Sequence, residues 1–93
     1  MTVPLGASPD LETLERELLA LISGRLLDVP PEFDAASNLI EAGLDSMAIM
    51  QLLLLIEDDY GLWLPEVDLV KQNFASVRVL AGVLRQRLLE RGR

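Results

Sequence analysis

The feature that most constrains this chain is the apolar segment 47–56, which Gln51 alone interrupts. Successive residues of a helix lie about 100° apart, so this segment forms a helix that is apolar on two faces. The first face holds Ile49, Leu52, Leu53, Ile56 and Tyr60, and the second holds Met47, Met50 and Leu54. A helix that is apolar all round is normally buried all round, and a chain of 93 residues has few other elements to bury it.

Two interpretations of the second face are open. Either the long connection 28–44 folds over it, or it stays exposed and docks partner proteins. Exposed apolar patches usually mark interaction sites, and the flexible Met side chain adapts to several partners in turn. We therefore favour an exposed docking face.

A first helix precedes this segment. Its apolar residues recur at helical spacing, at Leu11, Leu14, Leu18, Leu21 and Ile22. Ser8 is a suitable N-cap with Pro9 in the first turn, and Pro30-Pro31 forbids continuation of the helix. The connection 28–44 is long for so small a domain. Its expected anchors in the core are Phe33, Leu39, Ile40 and Leu44.

Helix-start and helix-stop signals bound the remaining elements. Asp45 is a favourable N-cap for the second helix, and Gly61 stops it. A short third helix follows Pro65, and Ser76 caps the last one. The sequence thus predicts an all-α fold, a four-helix bundle with three major helices and one short third helix, as a single domain over residues 1–93. The expected helices cover about 9–27, 45–60, 66–72 and 76–91, and the apolar stripe of the last contains Val77, Leu80, Val83, Leu84 and Leu88.

The residue types that are absent exclude most catalytic chemistry. The chain has no Cys and no His, which removes thiolate nucleophiles, His–metal sites and the Ser-His-Asp triad. A net charge of −7 argues against binding nucleic acid. The apolar segment falls well short of the roughly 20 residues that span a bilayer, and the N-terminus lacks a signal-peptide pattern. We expect a cytoplasmic monomer that is not an enzyme and holds no metal.

Ser46 stands at the start of the two-sided helix. A nucleophilic role in catalysis is disfavoured because no His can activate the hydroxyl. A covalent attachment point suits this position better, since a helix N-terminus has unpaired N–H groups and a positive dipole end that favour a phosphodiester. The acidic run Glu57-Asp58-Asp59 is interpreted as a solvated helix end.

The residues around Ser46 resemble a known family. The attachment motif of the acyl and peptidyl carrier proteins, Gly-x-Asp-Ser-Leu/Met, is similar to Gly43-Leu44-Asp45-Ser46-Met47, which Leu39-Ile40-Glu41-Ala42 precedes. The likeness continues through Gln51-Leu52, Ile56-Glu57-Asp58-Asp59-Tyr60-Gly61, Leu64-Pro65 and Phe74-Ala75-Ser76-Val77. It covers roughly residues 10–90.

This resemblance implies that Ser46 accepts 4′-phosphopantetheine from coenzyme A through a separate phosphopantetheinyl transferase. The terminal thiol of that arm would hold an acyl or aminoacyl thioester. Asp45 would lie beside the phosphodiester and help the transferase and its metal engage the helix. The implied docking face consists of Leu44, Met47, Met50, Gln51, Leu54, Glu57 and Asp58.

The sequence departs at two positions from the pattern of fatty-acid carriers, and this narrows the type of carrier that it resembles. Carriers of fatty-acid type usually place acids two and five residues after the attachment serine, where this chain has Ala48 and Gln51. The motif looks closer to free-standing aminoacyl carriers, which include D-alanyl carriers and discrete peptidyl carriers of natural-product pathways. We expect a stand-alone carrier in secondary metabolism, served by an adenylating ligase or acyltransferase and by a downstream synthase or transferase. A polyketide or fatty-acid carrier, or a helical adaptor without prosthetic group, are the alternatives.

Overall fold

The computed structural model describes residues 10–91. It contains three α-helices of 15 residues each, α1 (Leu11–Arg25), α2 (Ser46–Tyr60) and α3 (Val77–Arg91). Two short 3-10 helices, Glu66–Asp68 and Lys71–Phe74, lie between α2 and α3. No strand occurs within residues 10–91, so the predicted all-α bundle is confirmed.

The structure differs from the sequence prediction between α2 and α3. A single third helix was expected over 66–72, and two 3-10 turns replace it. Val70 has an extended backbone (φ −114°, ψ 148°) and separates the two turns. The Asn73 side-chain amide donates to the Asp68 carbonyl at 2.8 Å, which ties the second turn to the first. Such helices form only short runs because their hydrogen-bond geometry is poorer than that of an α-helix.

Helix α1 is shorter than expected at both ends. The proposed cap Ser8 lies outside the described residues. Asp10 precedes the helix with an extended backbone (φ −70°, ψ 135°), and its carboxylate accepts a hydrogen bond from the Thr13 hydroxyl at 3.4 Å. At the other end, the N–H groups of Leu26 and Leu27 both donate to the Ile22 carbonyl, which closes the helix before the chain reaches Pro30.

Helix α2 begins and ends as its sequence signals predict. The Asp45 carboxylate accepts a hydrogen bond from the Ala48 N–H at 2.9 Å. Gly61 follows the last helical residue in the left-handed region (φ 62°, ψ 27°), where a side chain would cost roughly 1 kcal/mol or more. These two residues fix the length of the helix through local chemistry alone.

One continuous apolar core joins the three α-helices and the second 3-10 helix. Leu52 and Ile56 of α2 are fully buried, as expected of its first face. The connection between α1 and α2 adds Leu39 and Leu44, and the segment after α2 adds Leu62 and Leu64. The other buried apolar residues are Leu14, Leu18, Leu21, Ile22, Ala48, Leu53, Phe74, Val77, Leu80, Ala81 and Leu84.

The connection 28–44 does not cover the second face of α2. It is tied instead to the start of α3, because the Leu39 N–H donates to the Ala75 carbonyl and the Arg78 N–H donates to the Ala35 carbonyl, each at 2.9 Å. Met47, Met50 and Leu54 remain 73%, 56% and 54% exposed. Of the two interpretations, the structure supports an exposed apolar face, which we call the α2 outer face.

Two side-chain interactions hold the ends of the bundle together. The Tyr60 hydroxyl donates to the Glu17 carboxylate at 2.9 Å and joins α2 to α1. Burial, together with this hydrogen bond, raises the pKa of Tyr60. The Arg87 guanidinium of α3 pairs with both carboxylate oxygens of Asp68, with the Nη2–Oδ1 distance at 2.9 Å. This pair anchors the first 3-10 turn to the last helix.

The two faces of α2 should respond differently to truncation. We expect Leu52→Ala to lower the free energy of unfolding by about 2–5 kcal/mol, because it leaves a cavity in the core. Leu54→Ala, on the α2 outer face, should change it by about 0.5 kcal/mol or less. Urea unfolding followed by circular dichroism measures both. Equal losses would mean that Leu54 is buried in solution.

The Asp68–Arg87 pair should make stability depend on pH. The hydrogen bond from Arg87 lowers the pKa of Asp68 in the folded protein. The stabilisation is therefore complete above the ordinary carboxyl pKa of about 3.9 and is lost as the pH falls through the lower folded-state value. We expect the difference in unfolding free energy between wild type and Asp68→Asn to be constant from pH 7 to pH 5 and to shrink below about pH 4.

Glu90→Gln is the matched control for this measurement. Glu90 contacts the same guanidinium, with a distance of 3.0 Å to Nη1, but its side chain is 45% exposed. Exposed ion pairs contribute little to stability, so the control should show a much smaller pH-dependent difference. If Glu90→Gln shows a pH-dependent difference as large as that of Asp68→Asn, any carboxylate that contacts Arg87 has this effect, and the bidentate pair is not special.

Candidate functional site

Ser46 is the first residue of α2, and its side chain is exposed. Its hydroxyl has no hydrogen-bond partner within residues 10–91, whereas the carboxylate of its neighbour Asp45 is engaged by the Ala48 N–H. The two polar side chains of the motif therefore differ in role within the fold. Asp45 caps the helix, and the Ser46 hydroxyl is available to react.

The backbone before Ser46 forms a tight turn that sets its position. The Leu44 N–H donates to the Leu39 carbonyl at 3.0 Å, and the Gly43 N–H donates to the Ile40 carbonyl at 3.1 Å. Gly43 has φ 113°, which L side chains rarely adopt. Because Leu39 and Leu44 are both buried, the turn places Asp45 and Ser46 at the surface immediately above the core.

The start of α2 is suited to a negatively charged group. The Ile49 and Ala48 N–H groups are paired with the Asp45 carbonyl and carboxylate. The N–H groups of Ser46 and Met47 have no partner in the described part of the chain. Unpaired amides and the positive end of the helix dipole both favour a phosphate ester at this end.

A cavity of about 650 Å³ adjoins Ser46. Small-molecule sites in proteins have volumes of roughly 300–1,000 Å³, so this cavity could hold an organic group attached at Ser46. Two segments that are distant in sequence line it, one around the α2 start and one around the second 3-10 helix. The lining residues are Ile40, Gly43, Leu44, Asp45, Ser46, Ile49, Leu69, Val70, Lys71 and Phe74.

The cavity lacks the groups that would activate Ser46. Its ionisable side chains are Asp45 and Lys71, and neither is hydrogen-bonded to the hydroxyl. Within residues 10–91, no group of three or more acidic side chains is arranged to hold a metal ion. The arrangement can therefore present a hydroxyl to an external enzyme and accommodate what that enzyme attaches, but it offers no general base of its own.

The structure sorts the residues expected to dock partners. Met47, Met50, Gln51 and Leu54 are exposed on α2, and Glu57 and Asp58 are exposed near its end. Leu44 is an exception, since it is only 2% exposed. The turn at Gly43 directs the Leu44 side chain into the core, where it acts as the expected anchor. Its inclusion in the docking face is therefore corrected.

Several residues of the site have no signal in the sequence. Leu69, Val70 and Lys71 reach the cavity only because the 3-10 segment folds back beside α2. Trp63 and Val67 also remain 51% and 71% exposed outside α2. Neither residue type nor periodicity marks these positions, since the segment has no regular repeat.

Within the described residues, the helices are too short and too polar for one of them to cross a membrane.

Comparisons with known proteins identify a family and a similar protein. The family described as "Phosphopantetheine attachment site" matches residues 16–84, a range that contains Ser46 and both segments lining the cavity. An aminoacyl carrier protein of Bradyrhizobium diazoefficiens is 34% identical over 61 residues, which are 66% of this chain. The match spans 64% of that relative's length.

Two solved structures have a similar fold. One is the crystal structure of an engineered Bradyrhizobium japonicum glycine:carrier protein ligase complexed with carrier protein from Agrobacterium tumefaciens and ATP. The matched chain has a TM-score of 0.64 and 27% identity, with 83% of this chain and 99% of that chain covered. The other is the Bradyrhizobium japonicum ligase complexed with glycylated carrier protein, with a TM-score of 0.56, 20% identity, and coverage of 75% and 92%. The second likeness concerns the fold alone.

The geometry at the start of α2 suits the group after which the family is described. An exposed hydroxyl, a helix N-terminus that favours a phosphodiester and an adjoining cavity fit a phosphopantetheine group. The matched range covers well over half of the chain. This chain belongs to the phosphopantetheine attachment-site family, whose prosthetic group is 4′-phosphopantetheine.

Proposed function

We propose that this chain is a stand-alone carrier, folded as one domain, in which Ser46 bears the 4′-phosphopantetheine arm. The thiol of the arm holds an aminoacyl, peptidyl or related acyl unit as a thioester, and the carrier presents it to biosynthetic enzymes of secondary metabolism. The observation that carries this proposal is the exposed, unpaired Ser46 hydroxyl at the N-terminus of α2, within a chain that belongs to this family.

The names of the relatives support an aminoacyl cargo. One is an aminoacyl carrier protein, and the structure with 27% identity pairs a carrier with a glycine ligase. We extend the same class of partner to this chain: an adenylating ligase that loads it, or an acyltransferase in its place. A phosphopantetheinyl transferase would act first, and a synthase or transferase would accept the cargo last.

The α2 outer face supports docking that is mainly apolar. Met47, Met50 and Leu54 form its exposed surface. Ala48 is 8% exposed and so offers little surface for contact, while Gln51 is exposed and neutral. The acids Glu57 and Asp58 lie near the other end of the helix, away from Ser46. Partners that recognise this face would therefore bury apolar surface close to the attachment point and pair charges further away.

The carrier contributes positioning rather than bond-making. The site has no general base, so the transferase must deprotonate the Ser46 hydroxyl. Asp45 is exposed and next to Ser46, where it can help the transferase and its metal engage the helix while it caps α2. Once loaded, a tethered cargo reaches a docked enzyme at a high effective concentration. We expect the carrier to do this as a cytoplasmic monomer.

Attachment at Ser46 is tested by incubation with coenzyme A and a promiscuous phosphopantetheinyl transferase. Intact mass spectrometry should show the addition of one phosphopantetheine group to the wild type and none to Ser46→Ala. Ser37→Ala, in the connection, is the matched control and should be modified fully. An adduct that persists in Ser46→Ala would place the attachment elsewhere, and no adduct in any variant would favour an adaptor without prosthetic group.

The docking role of the α2 outer face is tested with charge substitutions. We expect Met47→Asp and Leu54→Arg to reduce the rate of modification or loading at least tenfold, because the charge is desolvated when the partner docks. Their helical content should stay at the wild-type level. Val67→Asp is the matched control, since Val67 is 71% exposed but lies outside α2. An equal loss of rate in the control would argue against a defined face.

A further inference from the structure

Lys71 is the only lysine of the chain, and it lines the cavity beside Ser46. It is the first residue of the second 3-10 helix, Lys71–Phe74. The opposite end of that helix is fixed, because Phe74 is 1% exposed. A buried aromatic ring three residues away thus holds the backbone of Lys71 at the cavity, while the Lys71 side chain is exposed.

The charges around the cavity are unbalanced once a phosphodiester is attached. Asp45 and Lys71 are the ionisable residues of the lining. Asp45 is held at the start of α2 by its hydrogen bond to the Ala48 N–H, so it cannot turn away from a group on Ser46. The phosphodiester would add a second negative charge next to the first. Lys71 is the one cation of the lining that can offset this repulsion.

Lys71 is available for such a contact. Among the described residues, its side-chain ammonium has no hydrogen bond and no ion pair. Ion pairs elsewhere in the molecule engage other cations, such as Arg25, Arg78 and Arg87. An ammonium on a flexible four-carbon stem suits a single mobile phosphate, to which Lys binds as a point charge.

We infer that Lys71 is a positioning residue for the phosphodiester on Ser46. The ammonium attracts the phosphate and draws the first part of the arm toward the second 3-10 helix, over the cavity. This inference rests on the proposed attachment at Ser46. The contact is exposed to solvent, so salt should weaken it, as the Debye length falls from about 10 Å at 0.1 M to about 3 Å at 1 M.

Two NMR signals report on this contact directly. Because the chain has a single lysine, labelling with [¹³Cε]lysine gives one resonance, and the arm gives one ³¹P resonance. Holo protein is made with the transferase and verified by intact mass. We expect the ¹³Cε signal of Lys71 to shift between the apo and holo forms. The ³¹P signal of the holo protein should move in Lys71→Gln, and 1 M NaCl should move the wild-type signal in the same direction.

The controls separate charge from structure. Lys71→Arg should keep most of the wild-type ³¹P position, because it retains the charge. Arg16→Gln removes a cation of α1 that does not line the cavity and should leave the ³¹P signal unchanged. Circular dichroism checks that each variant is folded.

The outcomes are distinguishable from a failure of the proposed function. No mass gain would overturn the attachment itself. A verified holo protein in which either the ¹³Cε signal is the same as in the apo form, or the ³¹P signal is the same in wild type and Lys71→Gln, would overturn the role of Lys71 alone. If Arg16→Gln moves the ³¹P signal as far as Lys71→Gln does, the shift comes from the overall charge of the protein. That result would also overturn the role of Lys71.

Discussion

Two backbone hydrogen bonds, from Leu39 to Ala75 and from Arg78 to Ala35, underlie the arrangement of the whole site. The connection between α1 and α2 is long and has no regular helix of its own. Hydrogen bonds to another element are therefore needed to offset the conformational entropy that it loses when it is ordered. They lay it against the start of α3 and leave α2 uncovered on one side. The same ties bring Leu39 into the core, and with it the turn that presents Ser46.

Helix α2 meets two requirements with one apolar sequence. Its inner face supplies fully buried residues such as Leu52 and Ile56, whose removal from water stabilises the fold. Its outer face keeps Met47 and Met50 exposed, which favours transient contacts with several proteins. A small bundle cannot surround a helix completely. The surface left over is therefore available for docking, and it begins immediately after the attachment residue.

The polar groups are distributed in accord with this division. At the start of α2, unpaired amides and Lys71 provide the positive potential that a phosphodiester needs. At its end, Glu57 and Asp58 face solvent, and Tyr60 ties the helix to α1 through Glu17. The Asp68–Arg87 pair holds the intervening 3-10 segment to α3. That pair thus stabilises the segment that carries Lys71 to the cavity, although it lies outside the site itself.

The sequence by itself determined the features that local chemistry and periodicity control. Asp45 and Gly61 bound α2 through interactions within the helix, and the two apolar faces follow from the helical repeat. Tertiary structure alone decided how the chain between α2 and α3 folds, because its two 3-10 turns depend on contacts such as Asp68 with Arg87 across the fold. It also decided between the two roles that the sequence allowed for Leu44, core anchor and docking residue, and it brought Lys71 and Ser46 to one cavity. Burial and convergence depend on where distant segments cross, and no pattern among neighbouring residues encodes that.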